Sequence, residues 1–429
     1  MASAEELYRE AYALACQGRQ AEADARLRKA AEQGFAPARY TLALNLLQRD
    51  GRKAAGAARA LLEQGGPTPL IPAAQLLAMI ALLGLDGPPD VGQALAIIEA
   101  GAGRGAPSFL RQIGVAMLLA DDAAGAAAEG EALLFEAARR GDILASLALT
   151  RLRVEGGRDL GGIPPIPAAT RARLAEAGHP AAELPVPTVP ASPAAPPPVP
   201  LAAGTAANLE AACRRLRGLL DAVPATPLGE ERRGADGYAV RVHRRVWPAL
   251  ACDYVATLAL PHLQPSTVLD PRSGRMRMHP VRRSHHATLY PWDQDLVTWL
   301  LERRLAALVG APADHGEMLC ILHYPPGGEY RPHLDALTAE GGTSGAEIAR
   351  SGQRTHTVLV RLSGAFAGGE THFPKAGLTF SLEPGDALVF PNVDEKGEPD
   401  PRSLHAGLPV RNGVKWMATK WIRARPYVW

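Results

Sequence analysis

His323-Tyr-Pro-Pro-Gly-Gly-Glu-Tyr-Arg-Pro-His-Leu-Asp335 is the stretch of the 429-residue sequence around which the other motifs are arranged. It ends in His333-Leu-Asp335. Because residues i and i+2 of a β-strand point to the same face, this triplet can present an imidazole and a carboxylate to one metal ion. The triplet alone is a weak signal, since 12 His and 44 acidic residues in such a chain produce about one by chance. His315-Gly-Glu317 is a second such triplet and an alternative metal pair.

The composition limits the class of protein. An apolar content of 47% and a charged content of 21% are ordinary for a globular protein, and a net charge of +2 favours neither nucleic acid nor membrane as a partner. The four cysteines have no CxxC spacing, which argues against a disulfide framework or a zinc site. The N-terminus lacks a charged-then-apolar leader, and no apolar run approaches the roughly 18 residues that span a membrane. We therefore expect a cytoplasmic protein of two or three domains.

Residues 1–160 place apolar residues at helical spacing and contain a repeat of about 36 residues. Each copy has a glycine where one helix is predicted to end and the next to begin: Gly34, Gly105 and Gly141, with a degenerate copy around Glu63-Gln-Gly-Gly-Pro. Glycine suits the left-handed position that closes a helix. The pattern resembles Sel-like repeats of the tetratricopeptide group. The resemblance implies an all-α solenoid of helix-turn-helix repeats, whose concave surface can bind another protein. An irregular Ala-rich helical bundle is the alternative.

A proline-dense segment, residues 161–204, separates this region from the rest of the chain. Within it, residues 185–190 and 195–200 cannot form a helix or a central strand, because proline lacks the N–H donor and fixes φ. We predict an extended, semi-rigid linker, although a docking site for a proline-reading module is also compatible with this composition. The C-terminal domain is then residues 205–429, with its catalytic core at 317–423.

The C-terminal domain mixes helices with strands. Helices are predicted over residues 206–220, 248–260 and 293–309. Strands are predicted over residues 318–324, 355–362, 378–382, 387–390 and 414–422. Pro384-Gly-Asp386 predicts a hairpin turn between the third and fourth of these strands. Several short strands after a helical block indicate an α+β domain, a β-sandwich or barrel backed by helices.

The last predicted strand provides an independent argument. Alternation places Lys415, Met417, Thr419 and Trp421 on one face. If that face lines a cavity with a metal ion, the ammonium of Lys415 needs an anion nearby, because like charges repel. A keto acid such as 2-oxoglutarate can chelate the metal and leave a far carboxylate, which Lys415 and Thr419 can bind. Two histidines and one carboxylate with the remaining positions open is the arrangement of non-haem Fe(II) oxygenases.

Several motifs occur in a fixed order through this region. Y-x-x-G-x-x-Y-x-x-H-x-D covers residues 324–335, R-x-x-T-V-L covers 354–359, G-G-E-T-x-F-P covers 368–374, H-x-G-x-P-V covers 405–410, and G-x-K-W-x-A-T-K-W-I covers 413–422. Residues 317–421 thereby resemble the catalytic domain of prolyl 4-hydroxylases, which are Fe(II)/2-oxoglutarate dioxygenases with a double-stranded β-helix (jelly-roll) fold. Upstream, Arg282-Arg-Ser284 resembles the family's R-x-S. Cys320 departs from the pattern, since the family often has glutamine there.

The resemblance implies a role for each matched residue. The residues that would bind Fe(II) are His333, Asp335 and His405. The residues that would bind 2-oxoglutarate are Lys415, Tyr324 and Thr419. The residues that would contact a peptide substrate are Arg354, Trp421, Arg282 and Ser284. O2 would be the second cosubstrate, with ascorbate as reductant. His356 and His372 lack a suitably spaced carboxylate, and we interpret them as wall or surface residues.

We therefore expect a hydroxylase of prolyl 4-hydroxylase type, acting on a proline-containing peptide or protein and releasing succinate and CO2. The intact Asp335 favours hydroxylation, because related halogenases replace this carboxylate by a small residue. Two alternatives stay open: an O2- or iron-responsive protein-binding scaffold, and a hydroxylase of a free amino acid or another side chain. The proline-rich linker is itself a candidate substrate.

Overall fold

Helices fill the N-terminal half of the chain, and strands dominate the C-terminal half. The computed structural model describes residues 2–64, 70–120, 124–185, 201–220, 228–269, 276–278, 283–338, 343–364 and 366–429. The helices are α1 (Ala4–Cys16), α2 (Gln20–Glu32), α3 (Ala36–Asp50), α4 (Ala55–Glu63), α5 (Ile71–Leu83), α6 (Val91–Gly103), α7 (Pro107–Ala120), α8 (Ala124–Arg139), α9 (Ile143–Glu155), α10 (Ala168–Glu176), α11 (Ala203–Leu220), α12 (Ala249–Ala259), α13 (Leu296–Ala307) and α14 (Thr343–Ser351). The strands are β1 (Gly229–Arg233), β2 (Ala239–His243), β3 (Gln264–Pro265), β4 (Thr267–Leu269), β5 (Met276–Met278), β6 (His285–Leu289), β7 (Leu319–Tyr324), β8 (Tyr330–His333), β9 (Arg354–Arg361), β10 (Phe366–Gly368), β11 (Thr371–Phe373), β12 (Leu378–Phe380), β13 (Ala387–Pro391), β14 (His405–Gly407), β15 (Val410–Gly413) and β16 (Lys415–Arg423).

The N-terminal helices follow one another through short turns, and successive helices pack together. Gly34, Gly105 and Gly141 lie at these turns with φ of +88°, +81° and +89°, a conformation in which other residues are strained. The predicted helical region and the predicted role of its glycines are confirmed. Residues 65–69, which include part of the degenerate copy, lie outside the described residues. No helix in the described part of the chain has the length and apolar character needed to cross a membrane.

The beginning of the proline-rich segment differs from the extended linker predicted over residues 161–204. Residues 168–176 contain no proline and form α10, whose Leu174 packs in an apolar cluster with Leu147 of α9. The chain then runs past β16, where Trp416 Nε1 donates to the carbonyl oxygens of Ala177 and Gly178 at 3.2 and 3.1 Å. Residues 186–200, the most proline-rich part, lie outside the described residues, and the domain boundaries stay a prediction.

A large and a small antiparallel sheet form the C-terminal region, together with the two-stranded sheets β10-β15 and β4-β5. The large sheet has the order β1-β2-β13-β9-β16-β7-β6-β3, and the small sheet has the order β12-β11-β14-β8. The predicted hairpin over residues 378–390 is wrong, because β12 pairs with β11 in the small sheet and β13 pairs with β2 and β9 in the large sheet. The Pro384-Gly-Asp386 turn therefore carries the chain from one sheet to the other instead of joining paired neighbours.

Each face of the large sheet belongs to a different apolar core. Its inner face meets the small sheet through a core that contains Tyr238, Phe373, Phe380, Phe390 and Met417. Its outer face packs on the helices in one continuous core, which runs from Phe109 in α7 through Leu216 in α11 and Val255 in α12 to Val358 and Trp416. The helical N-terminal region therefore shares its core with the sheet-rich region.

A buried polar cluster also joins the two regions. Arg111 of α7 donates to Asp142 at 2.9 Å and to the Tyr254 hydroxyl of α12 at 3.1 Å. Its guanidinium lies 3.6 Å from Asp295, the carboxylate that caps the N-terminus of α13 and also accepts from Tyr254. One arginine thus neutralises two buried carboxylates that belong to different regions of the chain.

We expect Arg111→Met to lower the free energy of unfolding by about 3–5 kcal/mol, because it leaves Asp142 and Asp295 buried without their cation. Urea unfolding followed by circular dichroism measures this change. Arg139→Met is the matched control: that side chain is 71% exposed and 3.9 Å from Glu136, so its loss costs about 0–1 kcal/mol. Equal effects of the two substitutions would contradict the coupling role of Arg111.

Candidate active site

Strand pairing in the small sheet brings the predicted metal ligands together. His333 is the last residue of β8, His405 is the first of β14, and the two lie directly opposite each other in the ladder. Asp335 follows just beyond β8, with Oδ1 3.7 Å from His333 Nε2 and Oδ2 3.6 Å from His405 Nε2. One ligand atom from each residue lies within 4.8 Å of the others, and this is the one such group of three found among the described residues. The geometry fits a divalent metal ion.

Backbone carbonyls fix the tautomers of both histidines. His333 Nδ1 lies 2.8 Å from the carbonyl oxygen of Arg331, and His405 Nδ1 lies 2.9 Å from that of Ser403. A carbonyl oxygen only accepts, so each Nδ1 carries the proton and each Nε2 has the lone pair that a metal requires. Tyr330 stacks on the His333 ring at 3.5 Å, which restricts its rotation further.

Asp335 is buried and ionised. Burial by itself would raise its pKa, but the neighbouring His405, His333 and Arg354 and the hydroxyl of Thr357 lower the pKa to about 2. The Thr357 hydroxyl donates to Asp335 Oδ2 at 2.7 Å. The carboxylate is therefore available as a ligand at neutral pH.

The alternative pair, His315 and Glu317, is engaged elsewhere. Glu317 accepts from Arg354 at 2.6 and 2.8 Å and from Arg423 at 2.8 Å. His315 Nδ1 is 3.1 Å from the backbone oxygen of Arg423. These contacts make Glu317 part of a buried ion-pair network, and the pair forms no metal-binding group among the described residues.

His333, Asp335 and His405 line a cavity, and β16 forms its opposite wall. Lys415, Met417, Thr419 and Trp421 of β16 face into this cavity, as the strand alternation predicts. Lys415 Nζ is buried, donates to the carbonyl oxygen of Gly369 at 2.6 Å, and lies 5.2 Å from the ring centre of Tyr324. Burial, with a smaller effect of Arg361, lowers the pKa of Lys415 to about 8.

The polar groups of this wall fit a carboxylate ligand. Among the described residues no carboxylate pairs with Lys415, and Thr419 Oγ1 and Trp421 Nε1 are buried without a hydrogen-bond partner. Buried donors without acceptors are costly unless a ligand satisfies them. An anionic group seated between Lys415 and Thr419 would do so, which agrees with the predicted position of the far carboxylate of 2-oxoglutarate.

The predicted substrate residues have different surroundings. Trp421 lines the cavity, and Arg354 lies 4.0 Å over its ring. Arg354 directs its donors inward, to Glu317 and to the backbone oxygen of Asp335 at 3.3 Å. Ser284 donates to the hydroxyl of Ser266 at 2.9 Å, and Arg282 lies outside the described residues. Their roles in substrate binding stay predictions.

Two residues of the site have no role assigned from the sequence. Thr357 belongs to the R-x-x-T-V-L motif, which indicates that the position matters. The motif does not predict the hydrogen bond from Thr357 to Asp335. Asn392 follows β13 and donates to the Thr357 hydroxyl at 2.9 Å. It stands in no periodic pattern or motif, and no sequence signal could have identified it.

The chain is similar to known proteins in its C-terminal region. Residues 319–423 match the family model of the 2OG-Fe(II) oxygenase superfamily. Probable prolyl 4-hydroxylase 3 of Arabidopsis thaliana is 37% identical over 195 residues, which cover 41% of this chain and 66% of that protein. Prolyl 4-hydroxylase 1 of the same plant is 36% identical over 193 residues, covering 41% and 65%. Among solved structures, viral collagen prolyl hydroxylase vCPH from Paramecium Bursaria Chlorella virus-1 aligns with a TM-score of 0.34 at 23% identity, covering 44% of this chain and 98% of that one.

Residues 319–423 are therefore a 2OG-Fe(II) oxygenase domain, a class that uses Fe(II), 2-oxoglutarate and O2. Within that class it is prolyl 4-hydroxylase-like, as the motifs predict. The chain spans just under two thirds of the length of the curated relatives it matches.

We expect the affinity for 2-oxoglutarate to fall as the pH rises above 8. The ammonium of Lys415 is charged below its pKa of about 8 and neutral above it, and only the charged form pairs with a carboxylate. The dissociation constant should rise by about tenfold per pH unit above that pKa. This dissociation constant is measured by calorimetric titration of 2-oxoglutarate into the Mn(II)-loaded protein, without O2, between pH 7 and 9.

Lys415→Arg is the matched control, because a guanidinium stays protonated over this pH range. The variant should bind 2-oxoglutarate with little dependence on pH. Parallel pH profiles in the two proteins would contradict the assignment of Lys415.

Proposed function

We propose that this chain is an Fe(II)- and 2-oxoglutarate-dependent hydroxylase of proline in a peptide or protein, releasing succinate and CO2. The observation that carries the proposal is the cavity that has His333, Asp335 and His405 on one wall and Lys415 with Thr419 on the other. Support for proline as the target comes from the relatives, which are described as prolyl 4-hydroxylases.

Each residue of the cavity then has a defined task. The two Nε2 atoms and the Asp335 carboxylate would hold Fe(II), which supplies the activation of O2 for oxidising a C–H bond. The carbonyls behind His333 and His405 accept from each Nδ1–H, which orients both rings with Nε2 towards the metal position. Lys415 and Thr419 bind the far carboxylate of 2-oxoglutarate, and Tyr324 contacts the same molecule. Trp421 lines the cavity and its indole N–H is buried without a partner, so it is the proposed donor to a peptide carbonyl.

We also propose a finer fold assignment, a cellular location and a protein partner. The two facing sheets support a jelly roll, and the glycine-closed helix pairs of α1–α9 support a Sel-like solenoid. None of the four cysteines is in a disulfide, which supports a cytoplasmic location. Ascorbate is the proposed reductant. A protein partner of the solenoid would bind a face that the C-terminal region leaves uncovered. Arg354, Arg282 and Ser284 complete the proposed set of substrate contacts.

We expect His333→Ala, Asp335→Ala and His405→Ala each to lower the rate of succinate formation by at least about a hundredfold, because each removes one metal ligand. The assay supplies Fe(II), 2-oxoglutarate, ascorbate and a proline-containing peptide. His372→Ala is the matched control: His372 lies on β11 of the same sheet and contacts Thr379, outside the metal group. Undiminished turnover in any one of the first three variants would contradict the metal assignment.

We expect proline-containing peptides to stimulate succinate formation and to gain the mass of one oxygen atom on proline. Peptides with alanine in place of proline, and free proline, are the controls. Mass spectrometry with fragmentation locates the added oxygen. Equal stimulation by the alanine peptides, or oxygen on another side chain, would contradict proline as the target while leaving the cofactor chemistry intact.

A further inference from the structure

A short chain of buried side chains stands behind the carboxylate of Asp335. Asn392 Nδ2 donates to Thr357 Oγ1 at 2.9 Å, and Thr357 Oγ1 donates to Asp335 Oδ2 at 2.7 Å. Thr357 and Asn392 are both completely buried. Neither is in the group of metal ligands, and neither belongs to the Lys415 end of the cavity.

The directions of these two bonds are forced by chemistry. The ionised Asp335 can only accept, so the single hydroxyl hydrogen of Thr357 is used on Oδ2. The Thr357 oxygen can then only accept from Asn392, which fixes the amide with Nδ2 towards Thr357. Asn392 thereby keeps the hydroxyl hydrogen of Thr357 aimed at Asp335 and away from other acceptors.

Stability does not explain the choice of asparagine at this position. Asn392 Oδ1 is buried and has no hydrogen-bond partner among the described residues. A buried amide oxygen without a donor lowers stability, and an apolar side chain of similar volume would avoid that cost. The contact with Thr357 is what the amide provides.

The hydrogen bond from Thr357 to Asp335 affects how many coordination positions a bound metal would have open. Two imidazoles and one carboxylate oxygen would hold a six-coordinate iron by three positions and leave three open. A keto acid that binds through two oxygens would leave one of these for O2. A carboxylate that closed on the metal through both of its oxygens would remove that position.

Oδ2 of Asp335 lies 3.6 Å from His405 Nε2, close enough to become a second carboxylate ligand. We propose that Thr357 and Asn392 are positioning residues that engage Oδ2 in a hydrogen bond, so that Asp335 would bind the metal through Oδ1 alone. Oδ2 is already committed to a strong hydrogen bond, and the amide behind it prevents the hydroxyl from turning away. The inference rests on the proposed function and assigns two residues that support the open face of its metal site.

Three substitutions test the proposal. Thr357→Val removes the hydroxyl at nearly constant volume, Asn392→Leu removes the amide, and Thr357→Ser restores a hydroxyl as the rescue variant. Calorimetry first titrates Mn(II) into the full-length protein and then titrates 2-oxoglutarate without O2. A third titration, followed by absorbance, adds nitric oxide, which binds Fe(II) at the position of O2, to the protein loaded with Fe(II) and 2-oxoglutarate, so no measurement depends on turnover. Thr357→Val and Asn392→Leu should bind 2-oxoglutarate as the wild type does, because two positions remain for it, but they should bind nitric oxide about tenfold more weakly. Their affinity for Mn(II) should be unchanged or higher, because a second carboxylate oxygen is free to bind. Thr357→Ser should recover the nitric oxide affinity.

A loss of nitric oxide affinity alone distinguishes positioning from damage to the site. Loss of Mn(II) and 2-oxoglutarate affinity together would overturn the proposal, because it indicates a disturbed site. Unchanged nitric oxide affinity in Thr357→Val and Asn392→Leu would overturn it as well, while the proposed function would stand. A wild-type protein that binds Mn(II) but not 2-oxoglutarate would overturn the proposed function, and this inference with it.

Discussion

The candidate metal site depends on the pairing of β8 with β14. This pairing places His333 opposite His405, so that two imidazoles from distant parts of the sequence lie side by side. Successive side chains of a strand alternate between faces, and a shift of one residue in this register would turn one imidazole away from the other. The strands are short, and their register also depends on β14 pairing with β11 and on Phe373 and Phe390 packing against the His405 ring. The apolar core between the sheets therefore holds the metal ligands in place.

The two ends of the cavity belong to different sheets. The ligands lie on the small sheet, whereas Lys415, Thr419 and Trp421 lie on β16 of the large sheet. The separation between a metal and a carboxylate anchor is then set by the packing of one sheet on the other. β16 lies between β7 and β9, and its outward Trp416 is buried in the core shared with the helices. The N-terminal helices thus support the wall that carries Lys415 and Thr419.

The sequence was most informative where the relevant spacing is local. Strand alternation predicted the shared face of Lys415, Thr419 and Trp421, and the His-x-Asp triplet predicted two neighbouring ligands, because both depend on residues a few positions apart. The hairpin over residues 378–390 failed because consecutive strands of a two-layer fold can belong to different sheets. The helix α10 was missed because its apolar partners, such as Leu147, lie far away in the sequence.

Arg354 illustrates a limit of motif-based assignment. Its motif suggested contact with a substrate, yet its guanidinium is fixed by Glu317, which lies 37 residues earlier in the chain. The same guanidinium contacts the backbone oxygen of Asp335 and the ring of Trp421. A buried cation needs such partners, because removing it from water is costly unless its donors are satisfied. Arg354 therefore connects the segment that carries a metal ligand with the aromatic side chain at the cavity wall. Trp421 also lies opposite Thr357 in the ladder of β16 and β9, and Thr357 donates to Asp335, so two contacts connect this part of the wall to the candidate metal ligand.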